Sequence, residues 1–251
     1  MSTYNISTIA HLIAEPVRAV ILITLSDGSA LSAGALAEAA GVTAQTTSSH
    51  LSKLLYGGLI TMQREGRNRY YRIAGQHVVA ALESLASAGP PEAVWRTTPN
   101  RSARDLQFAR CCYDHLAGEI GVAITQAMLD RKLIEDSGDR TYALTEEGCR
   151  WLERIGIDIG ELALIQGHHA RQCLDWTERK NHVAGILGVR LMEAYVAWKW
   201  MKKNPGTRAI SVTKQGWAAL REHFGIEQSS PETCPAISAL VTGLLSTPKP
   251  N

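Results

Sequence analysis

The strongest constraint on the fold is a run of local signals between residues 32 and 73. A short apolar helix, Ala33–Ala40, follows a serine N-cap and ends at a glycine. A second helix, Ala44–Tyr56, follows a threonine N-cap and ends at two glycines. Two β-prone runs then flank Glu65-Gly-Arg-Asn68, which is a hairpin signal. Helix, short glycine turn, helix and hairpin, in that order, predict a winged helix-turn-helix.

Helical periodicity on both sides of this motif sets the limits of the first domain. Apolar residues between Ile6 and Leu25 recur at helical spacing, but Pro16 interrupts them, so the pattern predicts two helices or one kinked helix. After the hairpin, Gln76–Ser87 carries its apolar residues on one face. We therefore place the first domain at residues 1–87.

The second helix and the hairpin carry the chemistry of this domain. If Leu51 and Leu54 pack the helix inward, short polar side chains face outward and suit base edges in a major groove. The net charge is only +2, so any binding of nucleic acid requires a local basic patch, and the arginine-rich hairpin provides one. A polar helix face alone is typical of any solvated helix, but its combination with the hairpin predicts binding to double-stranded DNA. The candidate DNA-binding residues are Thr43, Gln45, Thr46, Ser48, Ser49, His50, Lys53, Arg64, Arg67, Asn68, Arg69 and Tyr70.

Residues 6–87 resemble the ArsR/SmtB family of bacterial transcription regulators. The matching segments are Glu15-Pro-Val-Arg18, Leu36-Ala-Glu-Ala-Ala-Gly-Val42, Thr47-Ser-Ser-His-Leu-Ser-Lys-Leu54, Gly58-Leu-Ile60 and Gly66-Arg-Asn-Arg-Tyr-Tyr71. The resemblance implies a homodimer formed by the first and last helices of the domain. It also implies repression by occupation of an operator, and release by an inducer.

The chain departs from the family at both of its usual metal sites. Where arsenical sensors of the family carry a Cys-x-Cys pair, this sequence has Ala35–Ala40 and no cysteine. Where the zinc sensors carry ligands along the last helix, it has only His77 and Glu83. We therefore expect the first domain not to be the sensor.

An internal repeat organises the rest of the chain. A proline-containing linker at 88–103 leads into a second domain at 104–227, and residues 228–251 form a tail. Segments beginning His115-Leu-Ala-Gly and His182-Val-Ala-Gly each lead to a later Thr-x-x-Gly, which indicates repeats at about 104–160 and 168–227. The predicted fold class is thus mainly α with small β-hairpins (α+β): a winged helix-turn-helix followed by two winged-helix-like repeats that serve as a sensor or dimerisation module.

Cysteines and histidines near the start of each repeat are the candidate sensing residues. Cys112 and His115 stand one turn apart if that segment is helical, and so do His169 and Cys173. Pseudosymmetry can bring the two pairs together as a site for a metal ion or haem. Buried packing, a thiol switch and an organic-ligand pocket are the other interpretations. The candidates for ligand or redox sensing are Cys112, His115, Cys173, Trp176 and His182, and those for a metal are Cys112, His115, His169 and Cys173.

Other classes of function find little support in the sequence. There is no glycine-rich phosphate loop, nucleophile elbow or paired-histidine hydrolase motif, so we do not expect an enzyme. We see neither a signal peptide nor an apolar run of bilayer length, and the five cysteines are an odd number, so we expect a cytoplasmic chain without a disulfide framework. The favoured function is a transcription regulator, a repressor released by a small-molecule, redox or metal signal. The alternatives are a cofactor-binding or catalytic module fused to a DNA-binding head, and an architectural DNA-binding protein that answers to no inducer.

Overall fold

A computed structural model describes residues 6–88, 101–158, 160 and 170–228 of the chain. These residues form an N-terminal and a C-terminal domain, each with a hydrophobic cluster of its own. The elements of the N-terminal domain are α1 (Ile6–Ala14), α2 (Pro16–Leu25), β1 (Leu31–Ser32), α3 (Ala33–Ala40), α4 (Ala44–Tyr56), β2 (Ile60–Glu65), β3 (Asn68–Ile73) and α5 (Gln76–Ala88).

The break between α1 and α2 follows from the segment Glu15-Pro-Val-Arg18. Pro16 opens α2, and the Glu15 carboxylate accepts hydrogen bonds from the backbone N–H groups of Val17 and Arg18 at 3.3 and 2.9 Å. The buried Arg18 guanidinium turns back to donate to the carbonyls of His11 and Leu12, both at 2.7 Å. One short segment therefore ends α1 and begins α2, and of the two predicted forms the chain adopts two helices bent by 90°.

The helix-turn-helix begins and ends where its capping residues predict. Ser32 Oγ accepts from the backbone N–H of Ala35, and Gly41 ends α3 in the left-handed conformation with φ of 65°. Thr43 Oγ1 then caps α4 by accepting from the backbone N–H of Thr46 at 3.2 Å. Leu51 and Leu54 are fully buried, and each contributes about 1.5–3 kcal/mol to folding.

The hairpin after α4 is the wing of the domain. Strands β2 and β3 pair antiparallel from Ile60↔Ile73 to Glu65↔Asn68, and Gly66 takes a positive φ in the turn. The short strand β1, which the sequence pattern does not predict, adds to the other edge of β3 through Leu31↔Tyr71. The sheet therefore has three strands in the order β1-β3-β2, and strand β2 of the wing lies at its outer edge.

The C-terminal domain follows the linker and consists of two units with similar element order. The first holds α6, two β-hairpins and two further helices, and the second shows the same order from its first hairpin onward. The elements are α6 (Arg101–Phe108), β4 (Arg110–Cys112), β5 (His115–Ala117), α7 (Gly118–Asp130), β6 (Ile134–Gly138), β7 (Thr141–Leu144), α8 (Glu146–Arg154), β8 (Ala170–Leu174), β9 (Asn181–Ala184), α9 (Gly185–Ala197), β10 (Met201–Lys203), β11 (Ile210–Val212) and α10 (Lys214–Phe224).

Strands of the two units pair with each other. Strand β7 of the first unit pairs with β8 of the second, which gives a four-stranded sheet in the order β6-β7-β8-β9. In addition, β4 of the first unit meets the residues just before β11 through an Arg110↔Ala209 bridge and a 2.8 Å hydrogen bond from the Cys111 N–H to the Arg208 carbonyl. One hydrophobic cluster spans both units. The two units therefore share one hydrophobic core and form a single domain.

Matching local contacts recur in the two units. Thr145 and Thr213 each cap a helix by accepting from the N–H of a glycine three residues on, at 2.9 Å in both cases. Gly121 and Gly188 lie where a Cβ would stand 2.7 and 2.6 Å from the carbonyls of Leu116 and Val183. These equivalences are compatible with the internal repeat that the sequence suggests.

The helical expectation for Cys112 and His115 is wrong. Both residues lie on a hairpin, where they face each other as the last cross-strand pair, and Tyr113 in the turn has φ of 60°. Cys173 likewise lies on a strand, opposite His182. His169, Cys234, most of the linker and the tail after residue 228 lie outside the described residues.

Within the described part of the chain, no single helix is long and apolar enough to cross a membrane. Helices α1 and α2 reach the necessary length and apolarity only when taken together as a bent pair.

Candidate functional site

The exposed face of α4 carries most of the predicted helix contacts to DNA. Thr43, Gln45, Thr46, Ser48, Ser49 and Lys53 are all exposed. Thr47, which sits among them in sequence, is fully buried and donates back to the Thr43 carbonyl at 3.0 Å. The outward face thus consists of short polar groups and one lysine, a composition that fits a major groove.

The wing presents a concentrated positive charge. Arg64 and Arg69 lie directly opposite each other across the hairpin, and Arg67 and Asn68 lie at its exposed tip. Like charges placed face to face in a hairpin repel each other, so a polyanion that lies between them relieves an unfavourable interaction. Tyr70 is half-buried at the base of this group.

His50 is placed differently from the other predicted DNA contacts. Its side chain is only 14% exposed, and its Nδ1 lies 3.1 Å from the Glu15 carboxylate. Burial raises the pKa of Glu15, but the backbone hydrogen bonds of Arg18 and Val17, together with His50, outweigh it and hold that pKa below its usual value. His50 therefore links α4 to the cap of α2.

A second candidate site lies in the C-terminal domain. Cys112, His115, Cys173 and His182, which we call the Cys/His cluster, place one possible ligand atom each within 4.8 Å of all the others. The two imidazole rings stack with centroids 5.1 Å apart, and their Nε2 atoms are separated by 3.2 Å. Each hairpin, β4–β5 and β8–β9, supplies one cross-strand Cys–His pair.

Cys173 of the cluster is half-buried, the other three members are buried, and the groups shift each other's pKa values. A hydrogen bond with Cys173 and burial raise the pKa of the Cys112 thiol to about 11. The same hydrogen bond lowers the pKa of Cys173, although burial opposes this. Burial lowers the pKa of His115, but the neighbouring Cys112 and Asp114 outweigh it and raise the pKa. Cys173 is therefore the more acidic of the two thiols.

Carboxylates stand behind both histidines. His115 Nδ1 lies 3.1 Å from Asp114 Oδ1, and His182 Nδ1 lies 3.7 Å from the fully buried Asp175. Asp175 in turn accepts from Arg110 Nη2 at 2.9 Å and from the Gly118 N–H at 2.7 Å. Burial raises the pKa of Asp175, but Arg110 and these hydrogen bonds hold it far below its usual range. A buried carboxylate that is paired with Arg110 therefore lies behind His182.

Among the described residues, the predicted sensing residue Trp176 is not part of this group. Trp176 packs against Arg110, whose guanidinium carbon lies 5.4 Å from the ring centroid. His169 is outside the described residues, and His182 completes the set of four in the structure.

Comparison with known proteins identifies the class of protein. A model of a helix-turn-helix domain matches residues 13–63. The HTH-type transcriptional regulator YdfF of Bacillus subtilis (strain 168) is 36% identical over 223 residues, which cover 89% of this chain and 98% of that protein. The chain belongs to the ArsR-like winged helix-turn-helix transcriptional regulators.

Shorter matches to this regulator cover about a third of the chain. The HTH-type transcriptional regulator YgaV of Escherichia coli (strain K12) is 35% identical over 77 residues, 31% of this chain and 78% of that protein. A solved winged helix-turn-helix domain of Mycobacterium bovis, Mb0332, described as homodimeric and as a possible ArsR-family regulator, is 32% identical. It covers 33% of this chain and 76% of that chain with a TM-score of 0.31.

The two domains of the regulator meet beside the Cys/His cluster. Glu83 Oε1 of α5 forms an ion pair with Arg208 Nη2 at 3.0 Å. Glu83 Oε2 accepts a hydrogen bond from Cys112 Sγ at 3.8 Å. Arg208 also donates to the Ser26 carbonyl at 2.6 Å and to the Cys111 carbonyl at 3.3 Å. A single carboxylate thus contacts both the cluster and the arginine that fastens the second domain to the first.

Sequence reasoning did not find the residues that support the cluster. Asp175 and Arg110 stand two positions from Cys173 and Cys112, but no local pattern pairs charges 65 residues apart. Arg208 reads in the sequence as a lone hairpin arginine, and Glu83 as a helix residue without partners. The available signal is that His115 and His182 occupy the same place in the two repeats, since pseudosymmetry predicts that such residues meet.

Proposed function

We propose that this regulator is a repressor that occupies an operator as a homodimer and is released when a signal reaches the Cys/His cluster. The observation that carries the proposal is the contact of Glu83 with Cys112. Glu83 belongs to α5, the last helix of the DNA-binding domain, and Cys112 belongs to the cluster. A chemical change at the cluster therefore acts directly on a helix of the domain that reads DNA.

The DNA side of the proposal rests on α4 and the wing. The exposed α4 side chains supply hydrogen-bonding groups for base edges, and the arginines at the wing tip supply charge for the backbone. Because the sugar–phosphate contacts carry little sequence information, the two elements have separable effects on binding.

Dimerisation is supported by apolar surface on the outer helices. Helix α1 has no buried residue, and it exposes 76% of Ile6 and 39% of Ile9. Leu85 on α5 is 56% exposed. A second copy that covers these side chains removes apolar surface from water and places two recognition helices on one DNA duplex.

The test of the DNA interface is a mobility-shift series on duplex DNA from upstream of the regulator's own gene. Arg67→Ala and Arg69→Ala should each weaken binding to every duplex, and each should reduce the slope of log affinity against log salt by about 0.9 for a lost phosphate contact. Gln45→Ala should instead change the preference among single-base variants by about 1–3 kcal/mol.

Arg171→Ala is the matched control, since Arg171 is an exposed arginine on β8, outside the DNA-binding domain. It should leave both affinity and salt slope unchanged. Absence of any shift by the unaltered protein at low salt overturns the operator proposal. Equal effects of Arg171→Ala and Arg67→Ala remove the wing from it.

A further inference from the structure

We infer that the Cys/His cluster is a closed, four-coordinate site for a soft divalent metal ion, and we assign it to Zn²⁺. The inference rests on the proposed function, because it names the signal that reaches Glu83. The donor set, the spacing of the donor atoms and the groups behind them each support it independently.

The donor set consists of two thiols and two imidazoles. Thiolate and imidazole ligands in a four-coordinate S₂N₂ arrangement select zinc and related soft ions over Mg²⁺ or Ca²⁺, which take oxygen ligands. All four donors come from protein side chains, which is the arrangement of sites without an open position for substrate. The cluster is therefore suited to hold an ion rather than to perform catalysis on it.

The spacing of the donor atoms agrees with such an ion. A tetrahedral ion with metal–nitrogen bonds of about 2.0–2.1 Å separates two imidazole nitrogens by about 3.3 Å. The Nε2 atoms of His115 and His182 are 3.2 Å apart. A haem between the same imidazoles requires the macrocycle to lie between the rings, and rings in direct stacking contact leave no room for it.

The groups behind the histidines match those of metal-binding imidazoles. Both rings turn Nε2 inward and Nδ1 toward a carboxylate, Asp114 or Asp175. Histidine ligands commonly donate their second N–H to a carboxylate, which fixes the tautomer and the ring orientation. The Nδ1 of His182 is buried and has no hydrogen-bond partner at its 3.7 Å distance from Asp175. A metal on Nε2 places the proton on Nδ1, where it faces this buried carboxylate.

The test is a titration of the reduced, metal-free full-length protein with Co²⁺, which reports tetrahedral thiolate ligation by its visible and near-ultraviolet absorption. We expect one Co²⁺ per chain and its displacement by Zn²⁺. Cys112→Ser and His182→Gln should each weaken binding at least about tenfold. Cys111→Ser is the matched control, because Cys111 precedes Cys112 on β4 and is not a member of the cluster; it should bind Co²⁺ as the unaltered protein does.

Circular dichroism of each variant separates loss of ligands from loss of fold, and a folded Cys112→Ser protein that binds Co²⁺ at full strength overturns the inference. If Cys112→Ser does not fold, His182→Gln carries the same test. The metal assignment is also overturned if the reduced unaltered protein gives no Co²⁺ spectrum. If an oxidant then forms a Cys112–Cys173 disulfide and releases the DNA, the proposed function stands with the cluster as a thiol switch. Stoichiometric Zn²⁺ binding without any change in operator affinity supports the metal site and overturns the proposed signalling.

Discussion

At the scale of single residues, the buried ion pair of Arg110 and Asp175 beside the Cys/His cluster is expected to contribute to the stability of the fold. Both side chains are at most 1% exposed. Asp175→Asn replaces the nearer carboxylate of the buried Arg110 guanidinium by a neutral amide and leaves it the Glu83 carboxylate at 3.8 Å. Loss of one partner of a buried pair costs about 3–5 kcal/mol. We expect a decrease of that size in the free energy of unfolding measured with denaturant.

The matched comparison is Glu193→Gln, which removes a partner of Arg190 in an exposed pair with the same kind of groups at 3.0 Å. Water and salt screen such a pair, so the expected loss is below about 1 kcal/mol. Equal losses in the two variants contradict a structural role for the buried pair.

The residues of the cluster could be named from the sequence, but their arrangement could not. His115 and His182 stand out because they occur at matching places in the two repeats, and each is preceded by a cysteine, Cys112 three residues earlier and Cys173 nine residues earlier. The helical spacing expected for Cys112 and His115 fails because they occupy a hairpin of two three-residue strands. Its turn has Tyr113 at positive φ rather than a glycine or asparagine, so the usual turn signal is missing.

At the scale of elements, the helices of the helix-turn-helix could be predicted from the sequence because residues next to their ends set their boundaries. Capping by Ser32 and Thr43 and the left-handed Gly41 act within one turn of the helices they limit. Strand β1, by contrast, exists only because Leu31 meets Tyr71, forty positions away. Short strands that depend on such distant partners carry no periodicity long enough to be recognised.

Helix α9 approaches the cluster closely, and a glycine permits it. A Cβ at Gly188 would stand 2.6 Å from the Val183 carbonyl and 3.0 Å from the Cβ of His115. Gly188→Ala should therefore displace α9 from β9 and lower the free energy of unfolding by about 1–3 kcal/mol, as overpacking does. Denaturant unfolding measures the loss, and Co²⁺ affinity should fall with it.

Gly34→Ala is the control, since the nearest atom to a Cβ there is Ser32 Oγ at 3.9 Å. Alanine in this open position of α3 should be neutral or should stabilise the helix by up to about 1 kcal/mol. A Gly188→Ala protein as stable as Gly34→Ala contradicts the close packing.

At the scale of the whole molecule, Arg208 links the two domains, and Glu83 contacts both Arg208 and Cys112 of the Cys/His cluster. Backbone and side-chain groups of Arg208 reach the carbonyls of Asp27, Ser26 and Cys111. Arg110 Nε also lies 3.8 Å from the carboxylate of Glu83. A metal-bound thiolate has no hydrogen to donate, so occupation of the cluster removes the Cys112-to-Glu83 contact and leaves the carboxylate to the two arginines.

Glu83→Gln should separate binding from response. It keeps the size of the side chain and lies outside both the DNA-contacting face and the metal ligands, so operator affinity without metal should stay within about threefold of the unaltered value. In the unaltered protein, Zn²⁺ should weaken operator binding by about 5–150-fold, the usual range of coupling between two sites. The variant should bind Zn²⁺ but lose most of this change, as measured by fluorescence anisotropy of a labelled operator. Glu153→Gln, at an exposed position of α8, should retain the full response. A Glu83→Gln protein that releases DNA with Zn²⁺ as completely as Glu153→Gln contradicts the route through α5.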